Sequence, residues 1–353
     1  MTKISPKLRL KMDGLLDDKF IADFFDENLK IFFKNAEKIK KIEKKIYKDI
    51  RGDYDYTLII EFIIQIVFSD KQICEKSVFC KAHSDEKKNK SIYYMEILYK
   101  NGFNEGAYKV PRPLRYVPEL RAGFYEGVQG NNLLYYLKHR DYDKIEQAVK
   151  DAAAWINKLH SINPEKFNSH EPRFTYIRDN YPPIEKVLRD MEKNYPRLHK
   201  VFKPLYVKTE KYEEKLIDHI VKSKRAKIIY ADYHPENIII PRYTREGIAV
   251  IDFTDLSLGD PYRDVGTFME QVEFMSRKYM PASKAKKWSD IFIKEYMAKG
   301  KEKPTKDNFK RINLYRLWSC LRNIIHFYYK EDPEQVIWGL VDDAKGYLDI
   351  IKK

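Results

Sequence analysis

The sequence YADYHPEN (Tyr230–Asn237), followed fifteen residues later by Asp252-Phe253-Thr254, decides the fold of this chain. Three mostly apolar runs flank it, at Ala226–Tyr230, Ile238–Ile240 and Gly247–Ile251. Short apolar runs separated by turn residues are typical of β-strands. We therefore predict a short loop between β-segments, followed by a β-hairpin that brings Asp252 back beside Asn237.

This arrangement would place three polar side chains within one small volume. Asp232 is a lone carboxylate, Asn237 supplies an amide oxygen, and Asp252 is a second carboxylate. Phosphoryl transfer to a hydroxyl group needs such a set. One carboxylate orients the hydroxyl and accepts its proton, while oxygen ligands hold Mg²⁺ on the nucleotide phosphates. We predict that Asp232 is catalytic and that Asn237 and Asp252 are metal ligands.

The composition limits the classes of protein to which the chain can belong. It has 353 residues and a formal net charge of +14, mostly from lysines spread along its length. Such a spread is typical of a solvated surface, and a specific anionic partner is the alternative. No zinc-finger, RNA-recognition or basic-zipper pattern occurs, so we predict no nucleic-acid partner. The longest apolar run, Leu58–Phe68, is too short to span a bilayer, and we expect neither a signal peptide nor a membrane partner. Three scattered cysteines predict a cytoplasmic location.

The residues Asp232, His234, Asn237 and Asp252 also carry a resemblance to a known family. The chain resembles the aminoglycoside phosphotransferase / choline kinase-like family. The catalytic loop of that family typically reads His-Gly-Asp-x-His-x-x-Asn, and its metal aspartate sits in Ile-Asp-Phe/Trp. Because the family shares the protein-kinase fold, the resemblance implies an α+β, two-lobed protein-kinase-like fold. The N-lobe would be a small antiparallel sheet and the C-lobe mainly helical.

Two positions depart from the pattern of the family. Tyr230-Ala231 replaces the usual His-Gly, a change that can alter how the loop is braced. Thr254 follows Asp252-Phe253 where protein kinases have glycine. Because His-Arg-Asp and Ala-Pro-Glu signatures are also absent from the sequence, the chain does not fit a protein kinase acting on Ser or Thr.

The predicted organisation has three parts: a helical extension at 1–48, a nucleotide-binding N-lobe at 49–127, and a C-lobe at 128–353 with the catalytic loop and acceptor site. Apolar residues at helical spacing predict one or two helices over residues 14–48, packed on the first lobe. A membrane-surface or partner-binding helix is the alternative for this segment.

The N-lobe is predicted to begin with strands. Tyr56–Phe68 and Glu75–His83 are rich in β-branched and aromatic residues, as strands are. The turn Arg51–Asp55 lies where the resembled family has its phosphate-covering turn. It contains a single glycine, so an ordinary turn is the alternative.

Lys81 lies in a strand pattern, where a lysine must face solvent or find a partner. The resemblance implies that Lys81 holds the α- and β-phosphates of the nucleotide. Its partner would be a glutamate on the following helix, predicted over Lys88–Asn101. Glu96 is the acid inside that helix, although the glutamate of the family would fall nearer Ser91. Glu86 is the second candidate for the pairing.

The segment Val110–Leu114 resembles the Val-Pro-x-Pro-Leu segment that introduces the hinge strand in the family. The strand Gly123–Gly130 would then supply the hinge, where backbone N–H and C=O groups recognise the edge of adenine. The resemblance assigns this role to Tyr125, Glu126 and Gly127.

The C-lobe pattern is helical. A helix over residues 143–162 ends near His160, for which we predict a structural role at free carbonyl groups. Asp260 before Pro261 predicts a helix start. The resembled family has Asp-Pro-x-x-Asp at this place, and the resemblance implies that Asp264 braces the catalytic loop by hydrogen bonds. Further helices are predicted at about 265–278, 286–299 and 308–329. The C-terminal helices of the family line the acceptor site, so the resemblance implies contacts with the acceptor in the last of these.

The predicted function is transfer of the γ-phosphate of ATP or GTP to a hydroxyl of a small-molecule alcohol, with Mg²⁺. An aminoglycoside, choline or a sugar-type alcohol is each compatible with the sequence, although the basic chain argues against a cationic aminoglycoside. The alternative is a catalytically degenerate kinase-like protein that binds nucleotide or a partner. The sequence does not predict an oligomeric state.

Overall fold

The computed structural model describes residues 3–170, 172–179, 182–223, 225–242, 247–300, 305–330 and 334–352. The chain forms two compact units, one of Met1–Asn131 with Ile239–Asp255 and one of Asn132–Ile238 with Leu256–Lys353. The first unit is rich in strands and the second is mainly helical, which confirms the predicted α+β, protein-kinase-like fold. The division differs from the one expected at residue 127, since 239–255 returns to the first unit.

The helices and strands are as follows: α1 (Pro6–Asp13), α2 (Asp18–Phe32), β1 (Ala36–Arg51), β2 (Tyr56–Phe68), β3 (Ile73–His83), α3 (Glu86–Leu98), β4 (Tyr108–Lys109), β5 (Pro113–Val117), β6 (Ala122–Glu126), β7 (Gly130–Asn132), α4 (Leu133–His139), α5 (Tyr142–His160), α6 (Ile184–Asn194), α7 (Pro196–Lys222), β8 (Lys227–Ile229), β9 (Ile238–Pro241), β10 (Ile248–Val250), β11 (Ser257–Gly259), α8 (Tyr262–Arg277), α9 (Ala282–Gly300), α10 (Lys306–Tyr329) and α11 (Glu334–Lys352).

The first unit is built on a five-stranded sheet with the order β1-β2-β3-β6-β5, in which neighbouring strands are antiparallel. The strand predicted over Tyr56–Phe68 is confirmed at both ends. A smaller sheet has the order β4-β10-β9-β7, so the two strands after the YADYHPEN loop are neighbours, as predicted. Part of the turn between them, residues 243–246, lies outside the described residues.

The prediction of helix through residue 48 was wrong, because β1 occupies residues 36–51. Ile39 and Ile42 are three residues apart, a spacing that is typical of a helix. In the structure they pair with Ile66 and Ile64, which lie on one face of β2. A register shift between Ile39 and Lys41 returns the second isoleucine to the same face, so a β-bulge produced the helical spacing.

The helices α1 and α2 pack on one face of the sheet and form part of its core. The ring of Phe25 lies 5.2 Å from that of Phe62, and the ring of Phe24 lies 4.7 Å from that of Phe124. Burial of each such phenylalanine contributes about 1.5–3 kcal/mol to stability. Since side chains alternate along a strand, Lys81 of β3 projects from the other face than its buried neighbours Cys80 and Ala82.

The second unit surrounds the short antiparallel pair β8 and β11 with eight described helices. Helices α8 and α10 pack closely, because Gly266 of α8 has no side chain: a Cβ atom there would lie 2.5 Å from the carbonyl oxygen of Ile312. The sequence did not predict α11, which follows α10 and packs on it. Within the described residues, no helix combines the length and the apolar character needed to cross a bilayer.

Candidate active site

The loop Tyr230–Asn237 lies in the second unit. Asp264 braces it by hydrogen bonds, as predicted. This fully buried carboxylate accepts hydrogen bonds from the backbone N–H groups of Tyr230 and Ala231, both at 2.7 Å. Nε2 of His160 lies 2.9 Å from the same carboxylate, and Nδ1 of His160 lies 2.9 Å from the hydroxyl of Tyr296. His160 is therefore a structural residue, although it contacts side chains and not the carbonyl groups we expected.

The departure from His-Gly at Tyr230-Ala231 changes how the loop is packed. The ring of Tyr230 is buried and makes edge contacts with Trp155 at 6.2 Å and with Tyr233 at 5.5 Å. Ala231 has a φ of 66°, in the left-handed region that favours glycine. A Cβ atom in this conformation costs roughly 1–2 kcal/mol, so Ala231 is a strained position in the loop.

Replacement of Ala231 by glycine tests this strain. We expect the free energy of unfolding to rise by about 0.5–1 kcal/mol, because the relieved strain exceeds the entropic cost of glycine. Urea denaturation is the measurement. Ala298→Gly, at an exposed position in the last turn of α9, should instead lower stability, by at most about 1 kcal/mol. An equal loss in both variants would contradict the assignment.

The carboxylate of Asp232 has two basic neighbours within the second unit. Nη2 of Arg322 donates to Oδ1 at 3.1 Å, and Nε2 of His234 lies 3.3 Å from Oδ2. Burial alone would raise the pKa of Asp232, but the hydrogen bond from His234 and the charge of Arg322 outweigh it and hold the pKa well below its usual range. The same contact outweighs the burial of His234 and raises the pKa of its imidazole. Asp232 is therefore ionised at neutral pH, the form that can accept a hydrogen bond from a hydroxyl group.

Asn237 ends the same loop and is nearly buried. Its Nδ2 donates to the carbonyl oxygen of Asp232 at 3.2 Å, which orients the amide. Its Oδ1 makes no hydrogen bond to any described residue, so this oxygen is available as a ligand.

In the first unit, Lys81 and Asp252 form a direct ion pair. The Nζ atom of Lys81 lies 2.7 Å from Oδ1 of Asp252 and 2.8 Å from the hydroxyl of Thr254. Burial opposes ionisation of Asp252, but Lys81 and Thr254 outweigh it and lower the pKa of the carboxyl. Oδ2 of Asp252 makes no hydrogen bond to the described residues, and the side chain is 42% exposed.

The expected pairing of Lys81 with Glu96 is not present. Among the described residues, the carboxylate within ion-pair distance of Lys81 is that of Asp252. Ser91, and not Glu96, lines a small cavity together with Lys81. Glu86, the second candidate, pairs with Arg121 at 3.1 Å. Ser91 has no carboxylate to offer, and in this structure the lysine binds the carboxylate of the Ile-Asp-Phe segment.

The hinge candidates Tyr125, Glu126 and Gly127 lie at the end of β6. The N–H groups of Glu126 and Gly127 already donate to the carbonyl oxygens of Arg112 (2.9 Å) and Ser77 (2.8 Å). The carboxylate of Glu126 pairs with Lys76 and Arg112. A nucleobase at this edge would therefore have to donate to carbonyl groups, or accept from an N–H group beyond Gly127.

Asn237 in the second unit and Asp252 in the first each have a side chain of the type that can bind Mg²⁺. Each keeps one oxygen atom free, and hard oxygen ligands are the ones that Mg²⁺ prefers. In the part of the chain that the structure describes, no three His, Cys, Asp or Glu side chains form a metal-binding group.

Sequence reasoning missed Arg322 and Thr254 as members of the site. Arg322 lies on α10 within the segment where we expected acceptor contacts, but no local motif marks it. Thr254 was noted as a departure from glycine, whereas its hydroxyl and N–H group hold the carboxylate of Asp252, at 2.6 Å and 3.2 Å. Both residues act through contacts that the spacing of the sequence does not show.

A lysine on an antiparallel sheet, a braced Asp-x-x-x-x-Asn loop and a following Ile-Asp-Phe segment define a kinase-like phosphotransferase. The sequence profile of the phosphotransferase enzyme family, APH, matches residues 77–282. This match covers more than half of the chain, and the chain belongs to that family.

Solved structures of low sequence identity share the fold. Amicoumacin kinase hAmiN, in complex with AMP-PNP, Ca²⁺ and Ami, is 12% identical, with a TM-score of 0.55 and coverage of 94% of this chain and 93% of the other. The GDP complex of aminoglycoside 2'-phosphotransferase-IIIa is 14% identical, with a TM-score of 0.52 and coverage of 92% and 98%. No curated protein sequence matches the chain.

Proposed function

We propose that the protein transfers the γ-phosphate of ATP or GTP to a hydroxyl group of a small-molecule alcohol, in a reaction that requires Mg²⁺. The observation that carries this proposal is the ionised carboxylate of Asp232, held by the braced loop at the position of the catalytic aspartate of the family. The nucleotides in the solved relatives, AMP-PNP and GDP, support a nucleotide donor. The cysteines, all unpaired thiols, support a cytoplasmic location.

In the proposed reaction, Asp232 orients the acceptor hydroxyl and receives its proton. A bond forms between the acceptor oxygen and the γ-phosphorus, the bond from phosphorus to the β,γ-bridging oxygen breaks, and a nucleoside diphosphate leaves. Asn237 and Asp252 would hold Mg²⁺, which neutralises charge on the phosphates. When nucleotide binds, Lys81 would either leave Asp252 and contact the α- and β-phosphates, or contact Asp252 and these phosphates together. The protein contributes mainly positioning and charge stabilisation.

Purified protein with ATP or GTP and MgCl₂ tests this function over a panel of acceptors: kanamycin, choline, homoserine, methylthioribose and glucose. Transfer of labelled phosphate to any alcohol supports the proposal. Nucleotide binding is measured in parallel, with and without Mg²⁺. Nucleotide binding without transfer to any of these acceptors, or to glucuronate and glycerate, would favour the catalytically degenerate alternative. The serine at position 91, near which the resembled family has a glutamate, supports that alternative. Absence of both activities would refute the proposal.

A further inference from the structure

We propose that the acceptor alcohol carries an anionic group, a carboxylate or a phosphate, and that Arg322 binds this group beside Asp232. The inference rests on the proposed phosphotransferase function and adds the chemical class of its acceptor.

The contacts of Arg322 leave most of its donors available. Its Nη2 donates to Asp232 Oδ1 at 3.1 Å, and its Nη1 reaches the carbonyl oxygen of Ala231 at 3.5 Å, a long contact. A guanidinium group has five N–H donors, and no other described residue accepts from this one. The side chain is 32% exposed. An arginine with a free, accessible edge is suited to bidentate binding of a carboxylate or phosphate.

The charges around Asp232 permit a second anion there. The carboxylate of Asp232 is already matched by Arg322 and His234. Glu236 is a further acid of the same loop, and its carboxylate lies 3.9 Å from Nδ1 of His234. An anion on the free edge of Arg322 would share the guanidinium with Asp232. A hydroxyl group of the molecule that carries this anion would then lie close to Asp232.

Between Arg322 and its end at Tyr329, α10 contains no acidic residue. His326 and Tyr329 follow Arg322 at i+4 and i+7, so the three residues lie along one side of the helix. The hydroxyl of Tyr329 donates to Asp190 at 2.7 Å, and Nζ of Lys186 binds the same carboxylate at 2.6 Å. Asp190 is therefore already paired twice, and it offers little to an ammonium group.

A cavity of about 690 Å³ in the second unit also has cationic residues in its lining. Its described lining is apolar at Phe327 and Leu340 and cationic at Lys138, Arg277 and Lys278. Asp343, the acid of this lining, is bound to Arg277. Acceptors with several ammonium groups require unpaired carboxylates. Asp190 and Asp343, the described acids named in these two regions, are each bound to a cation.

Two matched sets of acceptors test the inference: glucuronate, glucose and glucosamine, and glycerate, glycerol and serinol. Within each set the hydroxyl groups are similar and the charge changes from negative to neutral to positive. We expect kcat/KM for the anionic member to exceed that for the neutral member by about 10- to 100-fold, the range of a hydrogen-bonded charge. Binding of each compound is measured in parallel by calorimetry with Mg²⁺ and AMP-PNP.

Arg322→Gln separates recognition from a general loss of positioning. We expect this variant to lose the preference for the anionic member, whereas loss of support for Asp232 alone would lower kcat/KM equally for all three. Arg322→Lys, which keeps the charge, should retain part of the preference. Arg178→Gln removes an exposed arginine paired with Glu214 at 3.5 Å and should leave the preference unchanged.

The outcomes distinguish this inference from the function on which it rests. Equal or better use of neutral or cationic acceptors, or a preference unchanged in Arg322→Gln, would overturn the inference and leave the phosphotransferase function standing. Absence of both binding and transfer for glucuronate and glycerate would also overturn it. If the unaltered protein does not bind nucleotide in a Mg²⁺-dependent manner, that result would instead contradict the proposed function.

Discussion

Replacement of Asp232 by asparagine is expected to lower kcat by about 10²–10⁴-fold, the usual contribution of a positioned general base. Asparagine has nearly the same shape and can still accept a hydrogen bond from Arg322, but it cannot take a proton. The loop should remain in place, because Asp264 holds it through backbone N–H groups and not through the side chain of Asp232. Nucleotide affinity should therefore stay within about threefold of the original, since asparagine removes no predicted nucleotide contact.

Single-turnover transfer and nucleotide titration measure the two quantities separately. Asp342→Asn, at an exposed position in α11 paired only with Lys345, is the matched control and should behave as the unaltered protein does. Because the pKa of Asp232 is lowered, this residue should add no acidic limb to the pH profile between about pH 5 and 8. Turnover that survives Asp232→Asn largely intact would show that another group is the base.

Replacement of Asp252 by asparagine is expected to abolish the dependence of nucleotide binding on Mg²⁺. The unaltered carboxylate is ionised and keeps Oδ2 free of hydrogen bonds to the described residues, so its loss removes the charged ligand that we predict for the cation. In the presence of Mg²⁺, the affinity for the nucleotide should fall by at least about 10- to 100-fold. Removal of a residue that only orients a metal ligand already has an effect of this size. Lys81 would also lose its ion-pair partner in the protein without nucleotide.

The measurement is a nucleotide titration at several MgCl₂ concentrations. Asp70→Asn, in the exposed turn after β2, is the control within the same unit. Urea denaturation of Asp252→Asn, which leaves Lys81 in place, distinguishes a loss of folding from a loss of metal binding. Mg²⁺-dependent binding that persists in Asp252→Asn would refute the metal assignment.

Much of the fold follows from local sequence patterns. The alternation of β-branched and aromatic residues places β2 at Tyr56–Phe68, and the apolar periodicity over residues 143–162 places α5. The pattern failed at β1, where β-bulges give isoleucines a helical spacing. Pairing with β2 along nearly its whole length stabilises this strand, and such pairing is a tertiary property that a window of sequence does not contain.

For the candidate site too, some features follow from local sequence and others only from the tertiary structure. Asp232, Asn237 and Asp252 are recognisable because they lie in short motifs flanked by strands, where residue type and spacing together determine the chemistry. Asp264 was also predicted from its motif, and its hydrogen bonds to the loop confirm that role. These residues lie within a few positions of a turn or a helix start, so local backbone geometry is sufficient to place them.

The sequence alone determined the class of reaction and predicted the residues that supply the reactive oxygens, because both inferences depend on residue type within one loop and one hairpin. Only the tertiary structure decided their partners. Lys81 meets Asp252 across 171 residues of chain, and Arg322 meets Asp232 across 90. Contacts of this kind depend on how strands pair and helices pack, and their electrostatic consequences appear only when burial and distance are known. The character of the acceptor, which we infer from Arg322, depends on such a contact.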